Sequence, residues 1–475
     1  MADILLRGGT VVTMDPARRV IEDGAVAIKG ERIIAVGTRA ELDARFDAKT
    51  LIDTSNHAIL PGLIDAHAHA GHGLVKTLGM SADAGAWGEA CRQIYTGASD
   101  AGFWHAEARL AALERLSFGV TTGLSLLGGG DSIHRVDRPE HGIAHARGVA
   151  EIGIRAIVAL GPTRPPHPRT YSTWESGTKQ DYEVSFEQQF ETIETLIREH
   201  HGKHRVAFAT LMPVYREATH DPAAVREIDR QGRLIRGLCA KYGVLFHQDG
   251  HRSGSIEMAH DMFGLLGPDA SLSHSTDLTA RDIDLLAETG TTIVHNPSAI
   301  ASVRGYCPVP ELLDRGVNVV IGSDGTAPDR STDMFRHMFQ CMRLHQREHR
   351  DERLMPPGKL LEMVTIDAAR AFAMDTEIGS LEVGKRADII TLDLRKPHLA
   401  PRNMPIWRLV CFANGQDVDT VLVDGKILMQ GRRFPDIDAD AVIDEAQAET
   451  ERMLDRAGLR DLLDEPASLW GKSRH

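Results

Sequence analysis

The chain has 475 residues and a formal net charge of -13, with 42% hydrophobic and 25% charged residues. That length passes the roughly 250–300 residues at which a single core stops growing, so one large domain with a smaller companion is expected. The composition excludes a disordered chain, the acidity disfavours a nucleic-acid partner, and no apolar run approaches the roughly 18 residues of a membrane span.

The N-terminus, MADILLRGGTVVTMD, lacks the basic start and apolar core of a secretory signal. Five scattered cysteines (Cys91, Cys239, Cys307, Cys341, Cys411) form no CxxC pair and read as reduced thiols. A cytoplasmic location is the expectation.

Residues 1–60 read as short strands with glycine-rich turns: ILLRGGTVVTM, GAVAIKGERIIAVG and TLIDTSNHAILPG. The middle of the chain changes rhythm to strand, loop, helix. Eight candidate strands follow one another: AILPGLIDAHAH, VTTGLSLL, IRAIVALG, RVAFATLMP, GVLFHQDG, ASLSHS, TTIVHNP and VNVVIGSDG. Several are continuous apolar runs, as parallel strands buried on both faces require.

The helices between them carry end signals. Ser99 is placed to cap WHAEARLAALERLSF, Asp221-Pro222 opens a helix closing before Gly243, and Thr279 precedes ARDIDLLAET with Gly290 after it. Two long helices, near 332–349 and 358–373, close the series. Residues 379–435 return to short alternating strands, and 439–463 read as a charged helix. The predicted architecture is a (β/α)8 TIM barrel over 61–378. Residues 1–60 and 379–475 form a composite β-sandwich with a C-terminal helix.

The first barrel strand ends in Asp65-Ala66-His67-Ala68-His69. Alternate strand residues share a face, so His67 and His69 point the same way. His247, His274 and Asp324 end the fifth, sixth and eighth strands. All five groups therefore fall at the C-terminal mouth of one barrel, where active sites sit. Imidazole and carboxylate converging there suit a divalent metal.

PGLIDAHAH, SLSHSTDLT, TIVHNPSA and VNVVIGSDG resemble the amidohydrolase superfamily. The likeness extends to the GSLEVGKRADIITLDL segment and covers nearly the whole chain. It is greatest to the aminohydrolase clade that acts on methylthioadenosine and S-adenosylhomocysteine, with the guanine deaminases and the s-triazine and thiocarbamate hydrolases. The resemblance implies metal ligands His67, His69, His247 and Asp324. His274 would orient the attacking water or the substrate, Asp324 would accept the water's proton, and His295 and Asn296 of the HNP motif would line the pocket. His72 stands where the clade places a substrate-facing residue, and Trp87 offers an aromatic wall. Binuclear members carry a lysine or glutamate on the fourth strand; RVAFATLMP has neither, so one ion is expected, zinc first, with iron or cobalt as alternatives. A homodimer or larger homo-oligomer acting on a small molecule is also implied.

One departure bears on the chemistry. Deaminases of the clade carry an acid–base glutamate three residues after the fifth-strand histidine. Here the stretch is His247-Gln248-Asp249-Gly250-His251, so glycine stands at that position. His251 is the expected substitute, with Asp249 the alternative. The first functional expectation is therefore hydrolysis of a non-peptide C–N bond of amide, carbamate, urea or amidine type. Deamination of a nitrogen heterocycle, displacement of halide or thiolate, and a non-catalytic metal-binding barrel are the alternatives.

Among weaker candidates, the proline-rich stretch GPTRPPHPRTYSTW reads as a lid loop, and its Arg164 and Arg169 as contacts for an anionic substrate. Gly128-Gly129-Gly130 reads as a flexible turn.

Overall fold

The computed structural model describes residues 1–80, 84–130, 133–215, 221–465 and 469–471. Eight parallel strands form the barrel: Leu63–His69, Val120–Leu126, Arg155–Leu160, Val206–Leu211, Phe246–Gln248, Ala270–Ser273, Thr292–His295 and Val319–Ile321. Each lies within one of the eight stretches read from sequence. Their inward side chains, among them Ile64, Ala66, Leu124, Ile157, Val294 and Val320, form a separate apolar cluster. Their outward side chains join the larger core beneath the helices.

The eighth and first strands are joined not by ladder pairing but by a seam of specific bonds. Asp324 N–H donates to His67 O at 2.8 Å. Asp65 accepts from Ser323 N–H (2.9 Å) and Ser323 Oγ (2.7 Å). The fully buried Asp65 carboxylate also pairs with Arg115 Nη2 at 2.9 Å. A buried ion pair is held in place by the extra bonds that satisfy its remaining lone pairs.

The first predicted strand, 58–69, is two elements. His57–Pro61 belongs to a different sheet and Leu63–His69 to the barrel. Gly62 marks the crossing, where a Cβ would stand 2.1 Å from Thr121 Oγ1; only glycine permits that approach.

The other sheet is built from both ends of the chain. Its path runs Lys426–Met429, Val418–Val423, Ile389–Asp393, His57–Pro61, Ala2–Val12, Val20–Lys29 and Arg32–Thr38, with Ala48–Asp53 paired to Ala2–Val12. Alternation along the first strand sends Ile4 and Leu6 into one apolar cluster and Leu5 into another, so both faces are covered.

Three local readings are corrected. Asp100, not Ser99, caps the helix Ala101–Ser117, because Ser99 Oγ is engaged by Tyr95 O and Trp104 Nε1. The second long helix is broken into Pro357–Met363 and Ile366–Ala371 at Thr365, whose φ of -135° and ψ of -98° are not helical. The proline-rich loop gives way to an antiparallel hairpin, Arg169–Glu175 with Thr178–Val184, whose β-branched and aromatic residues favour strands. The helix Ala439–Ala457 lies on the barrel: Glu445 binds His105 and Arg109, and Arg456 binds Asp100. No helix among the described residues is long and apolar enough to cross a membrane.

Candidate metal centre

The first strand would not by itself aim both histidines inward. Ile64 and Ala66 face the interior, so strict alternation would send His67 outward. The pairing with the second strand slips between Asp65 and Ala68, and such an irregularity re-aims the side chains beyond it. His67 and His69 then converge with Asp324 so that one donor atom from each lies within 4.8 Å of the others.

Local contacts set which nitrogen is free. His69 Nδ1 faces Gly128 O at 3.0 Å, leaving Nε2 to face Asp324 at 3.1 Å. The glycine turn is thus part of the site. Gly128 has φ +141°, and a Cβ there would meet Ile133 O at 2.0 Å. His247 Nδ1 is held by Ser271 Oγ at 2.7 Å, and its Nε2 lies 2.9 Å from His67 Nδ1. His67 Nε2, fully buried, lies 3.6 Å from Asp324 and has no hydrogen-bond partner among the described residues. An orphaned imidazole nitrogen beside a second imidazole and a carboxylate fits a divalent cation of the zinc class.

Asp249 is the group that sequence reasoning underweighted. Its carboxylate enters the same cluster, 3.4 Å from His67 Nε2, 3.5 Å from His69 Nε2 and 3.3 Å from His274 Nε2. Ser273 Oγ donates to it at 2.5 Å. His251 is buried with its ring nitrogens facing Ser255 Oγ (2.9 Å) and Gln248 Oε1 (3.3 Å).

Burial alone would raise both carboxyl groups. Arg330 and the His67 and His69 contacts outweigh it at Asp324, and His67, His274 and His69 do so at Asp249, holding both well below the usual range. Burial, then the neighbouring His67, drives His247 well below its ordinary value, so its ring stays neutral. The backbone is strained at two of these residues: His274 and Asp324 have φ of +63° and +64°. Left-handed non-glycine residues cost about 1–3 kcal/mol each and cluster at functional sites.

An aromatic wall rises beside the cluster. The His72 ring stacks on His69 (5.0 Å between centroids) and on Tyr95 (5.9 Å), and meets the half-buried Trp87 edge-on at 6.1 Å. Tyr95 and Arg330 carried no sequence signal; each is a lone residue brought in by tertiary packing. Asn296 is fully buried, its amide unpartnered among the described residues and its Oδ1 beside Gly322. His295 does not line this pocket. Val294 faces the interior, so the next residue points outward, and the His295 ring lies 5.2 Å from His345 on the outer helix Met334–His349. Arg169 donates to Arg164 O, and Arg164 donates to Val214 O and lies over the Tyr215 ring; these bonds tie both arginines to the protein.

Comparison with known proteins gives a consistent answer. Residues 58–428 match the model of the amidohydrolase family, and residues 24–48 match a bacterial imidazolonepropionase-like composite domain. A 5-methylthioadenosine/S-adenosylhomocysteine deaminase of Syntrophobacter fumaroxidans is 33% identical, over 93% of this chain and 96% of its own. A 5'-deoxyadenosine deaminase of Methanosarcina mazei is 30% identical, over 96% of this chain and 99% of its own. Among solved structures, a zinc-bound adenosine deaminase from Xanthomonas campestris superposes with a TM-score of 0.81 at 24% identity, covering 95% of this chain and 98% of its own. A zinc-complexed atrazine chlorohydrolase from Arthrobacter aurescens does so with 0.77 at 21%, covering 94% and 100%. The chain belongs to the amidohydrolase family and is a metal-dependent hydrolase of carbon–nitrogen bonds.

Proposed function

We propose that the protein releases ammonia from a 6-aminopurine nucleoside, at a single zinc-class ion held by His67, His69, His247 and Asp324. The exocyclic bond of such a ring is an amidine-type C–N bond. The observation that carries the reading is the Asp249 carboxylate among His67, His69 and His274. It supplies a proton carrier that Gly250 cannot. The deaminase relatives that act on adenosine derivatives support the same substrate class.

When bound, a divalent ion at this place lowers the pKa of a water to about 7 and so supplies a nucleophile at neutral pH. The chain's own groups do the rest. Asp324 and Asp249, both held ionised, are placed to accept the proton the attacking water gives up. Asp249 then hands that proton to the ring nitrogen beside the attacked carbon, Asp324 relays the remaining hydroxyl proton of the adduct to the amino group, and the amine leaves as ammonia. His274 Nε2 donates a hydrogen bond to the oxygen arriving at that carbon. His72, Trp87 and Tyr95 offer the stacking surface, and the Asn296 amide, unpartnered among the described residues, offers a donor and an acceptor to the base.

The exposed Met404, Trp407 and Phe412 near the helix Pro405–Cys411 give the protein an apolar surface suited to the homo-oligomer expected of it, which light scattering tests. The activity itself is tested by ammonia release from adenosine derivatives set beside amides, ureas, carbamates and chlorotriazines. Ammonia from the nucleosides alone is expected. Turnover of the open-chain substrates with intact nucleosides overturns the ring-deamination reading.

A further inference from the structure

A second group of metal-binding side chains lies outside the barrel wall. His295 ends the seventh strand on its outward side. Cys341 and His345 stand one turn apart on the helix Met334–His349 that packs over it. All three are buried, with exposures of 1%, 0% and 1%. One donor atom from each lies within 4.8 Å of the others.

Both nitrogens of His295 and both of His345 lack a hydrogen-bond partner among the described residues. That is an unusual cost. Buried polar atoms are nearly always paired, and each unpaired one costs about 1–3 kcal/mol. The rings do not relieve it between themselves: their centroids are 5.2 Å apart at 53°. Burial first, then the neighbouring His345, keeps His295 uncharged. Burial, then His349, lowers His345 to about 4. Two neutral imidazoles with free lone pairs and one thiol therefore face a common point.

We propose that His295, Cys341 and His345 bind a second, structural cation of the zinc class, separate from the catalytic one. A nitrogen–nitrogen–sulfur donor set with no exposed position is the pattern of structural zinc rather than of calcium or magnesium, which take oxygen. Binding converts the Cys341 thiol to thiolate and releases one proton. The donors close in from their present spacing, since zinc–nitrogen and zinc–sulfur bonds run about 2.0–2.3 Å. A second sulfur is in the neighbourhood: burial and then Cys341 push the Cys307 thiol up. The Tyr306 ring covers His345 at 5.5 Å, and its hydroxyl bonds His349 and Glu311 nearer the surface. The cation would fix this outer helix to the strand Thr292–His295 that leads into Asn296.

The test uses the full-length protein loaded with cobalt, which reports thiolate ligation by a charge-transfer absorption that a nitrogen–oxygen site lacks. The wild type is expected to hold about two equivalents and show that band. His67→Ala/His69→Ala should keep about one equivalent and the band while losing turnover. Cys341→Ser should keep about one equivalent and turnover, without the band. His345→Gln serves if the serine variant does not fold. A wild type that shows no thiolate band, or a band that persists in Cys341→Ser, overturns the proposal. Its fate is independent of the substrate assigned above.

Discussion

Asp249 Oδ1 lies 3.3 Å from His274 Nε2, which brings the loop after the fifth strand against the histidine that follows the sixth, and on the proposed mechanism Asp249 carries the proton. Asp249→Asn keeps the size and the hydrogen bond from Ser273 but cannot carry a proton. Its turnover should fall about 100-fold or more with metal content unchanged, the usual scale for loss of a general acid–base group. His251→Ala removes a ring held by Ser255 and Gln248 and should cost less than about 10-fold. The two variants, compared at saturating nucleoside, decide between the candidates. A larger loss from His251 would return the role to it.

The first strand and the eighth meet through Asp65, and this seam should dominate stability. Removing the carboxylate in Asp65→Ala leaves Arg115, only 5% exposed, without its ion partner. Breaking a buried pair in this way costs about 3–5 kcal/mol. The melting temperature should drop accordingly, and activity should fall with it, because Ser323 precedes Asp324. Asp65→Asn retains one of the two acceptor oxygens that Ser323 uses and should sit between the two. An Asp65→Ala protein as stable as the wild type would show that the barrel closes by other means.

Much of this was legible in the sequence where the signal is local and repeated. Eight apolar runs with turn residues between them specify eight strands, and a histidine or aspartate at a strand's end specifies its mouth. What escaped is non-local or depends on side-chain phase. The slip between Asp65 and Ala68 turns His67 inward, and the HxH spacing alone does not contain it. His295 ends a strand like its neighbours, yet alternation from Val294 turns it outward. Asp249 sits one residue before Gly250, the position of the clade's glutamate, and only the loop's path shows that its carboxylate reaches the cluster. Tyr95 and Arg115 come from helices whose sequences say nothing of which loop or strand they meet.

Glu107 sits under the turn that carries His72, with Gly73 N–H donating to its Oε1 at 3.3 Å. Burial first pushes this carboxyl up to about 7 from 4.5. Its neighbour His145, with Nδ1 3.6 Å from Glu107 Oε2, is driven down to about 3 from 6.5 by burial, then by Arg115. For Glu107 the folded state holds a proton that the unfolded chain has already released between these two values. Stability therefore falls as pH rises from about 4.5 to 7 on this account, by at most about 3 kcal/mol. For His145 the sign is opposite: the unfolded chain gains a proton first, so stability falls as pH drops from 6.5 toward 3. The two slopes oppose one another between 4.5 and 6.5, and Glu107 acts alone just above. Glu107→Gln keeps an acceptor for the turn and removes only the first slope. Its unfolding free energy should rise relative to the wild type as pH goes from 6 to 8. Parallel curves for the two proteins would mean that Glu107 is ionised when folded.

Trp87 meets His72 edge-on at 6.1 Å and is half-buried, so part of its ring is free for another flat group. If a purine stacks there, Trp87→Ala removes attraction worth about 0.5–1.5 kcal/mol beyond area burial. Such contact is made equally in the ground and transition states, so KM should rise about 3–10-fold with kcat nearly unchanged. Trp87→Phe should restore most of the affinity, because stacking needs a ring rather than an indole N–H. The Ala variant should also lose discrimination between adenosine derivatives and small amides, since the latter have no ring to stack. A fall in kcat with KM constant would place Trp87 in the structure of the cluster instead, acting through His72 on His69.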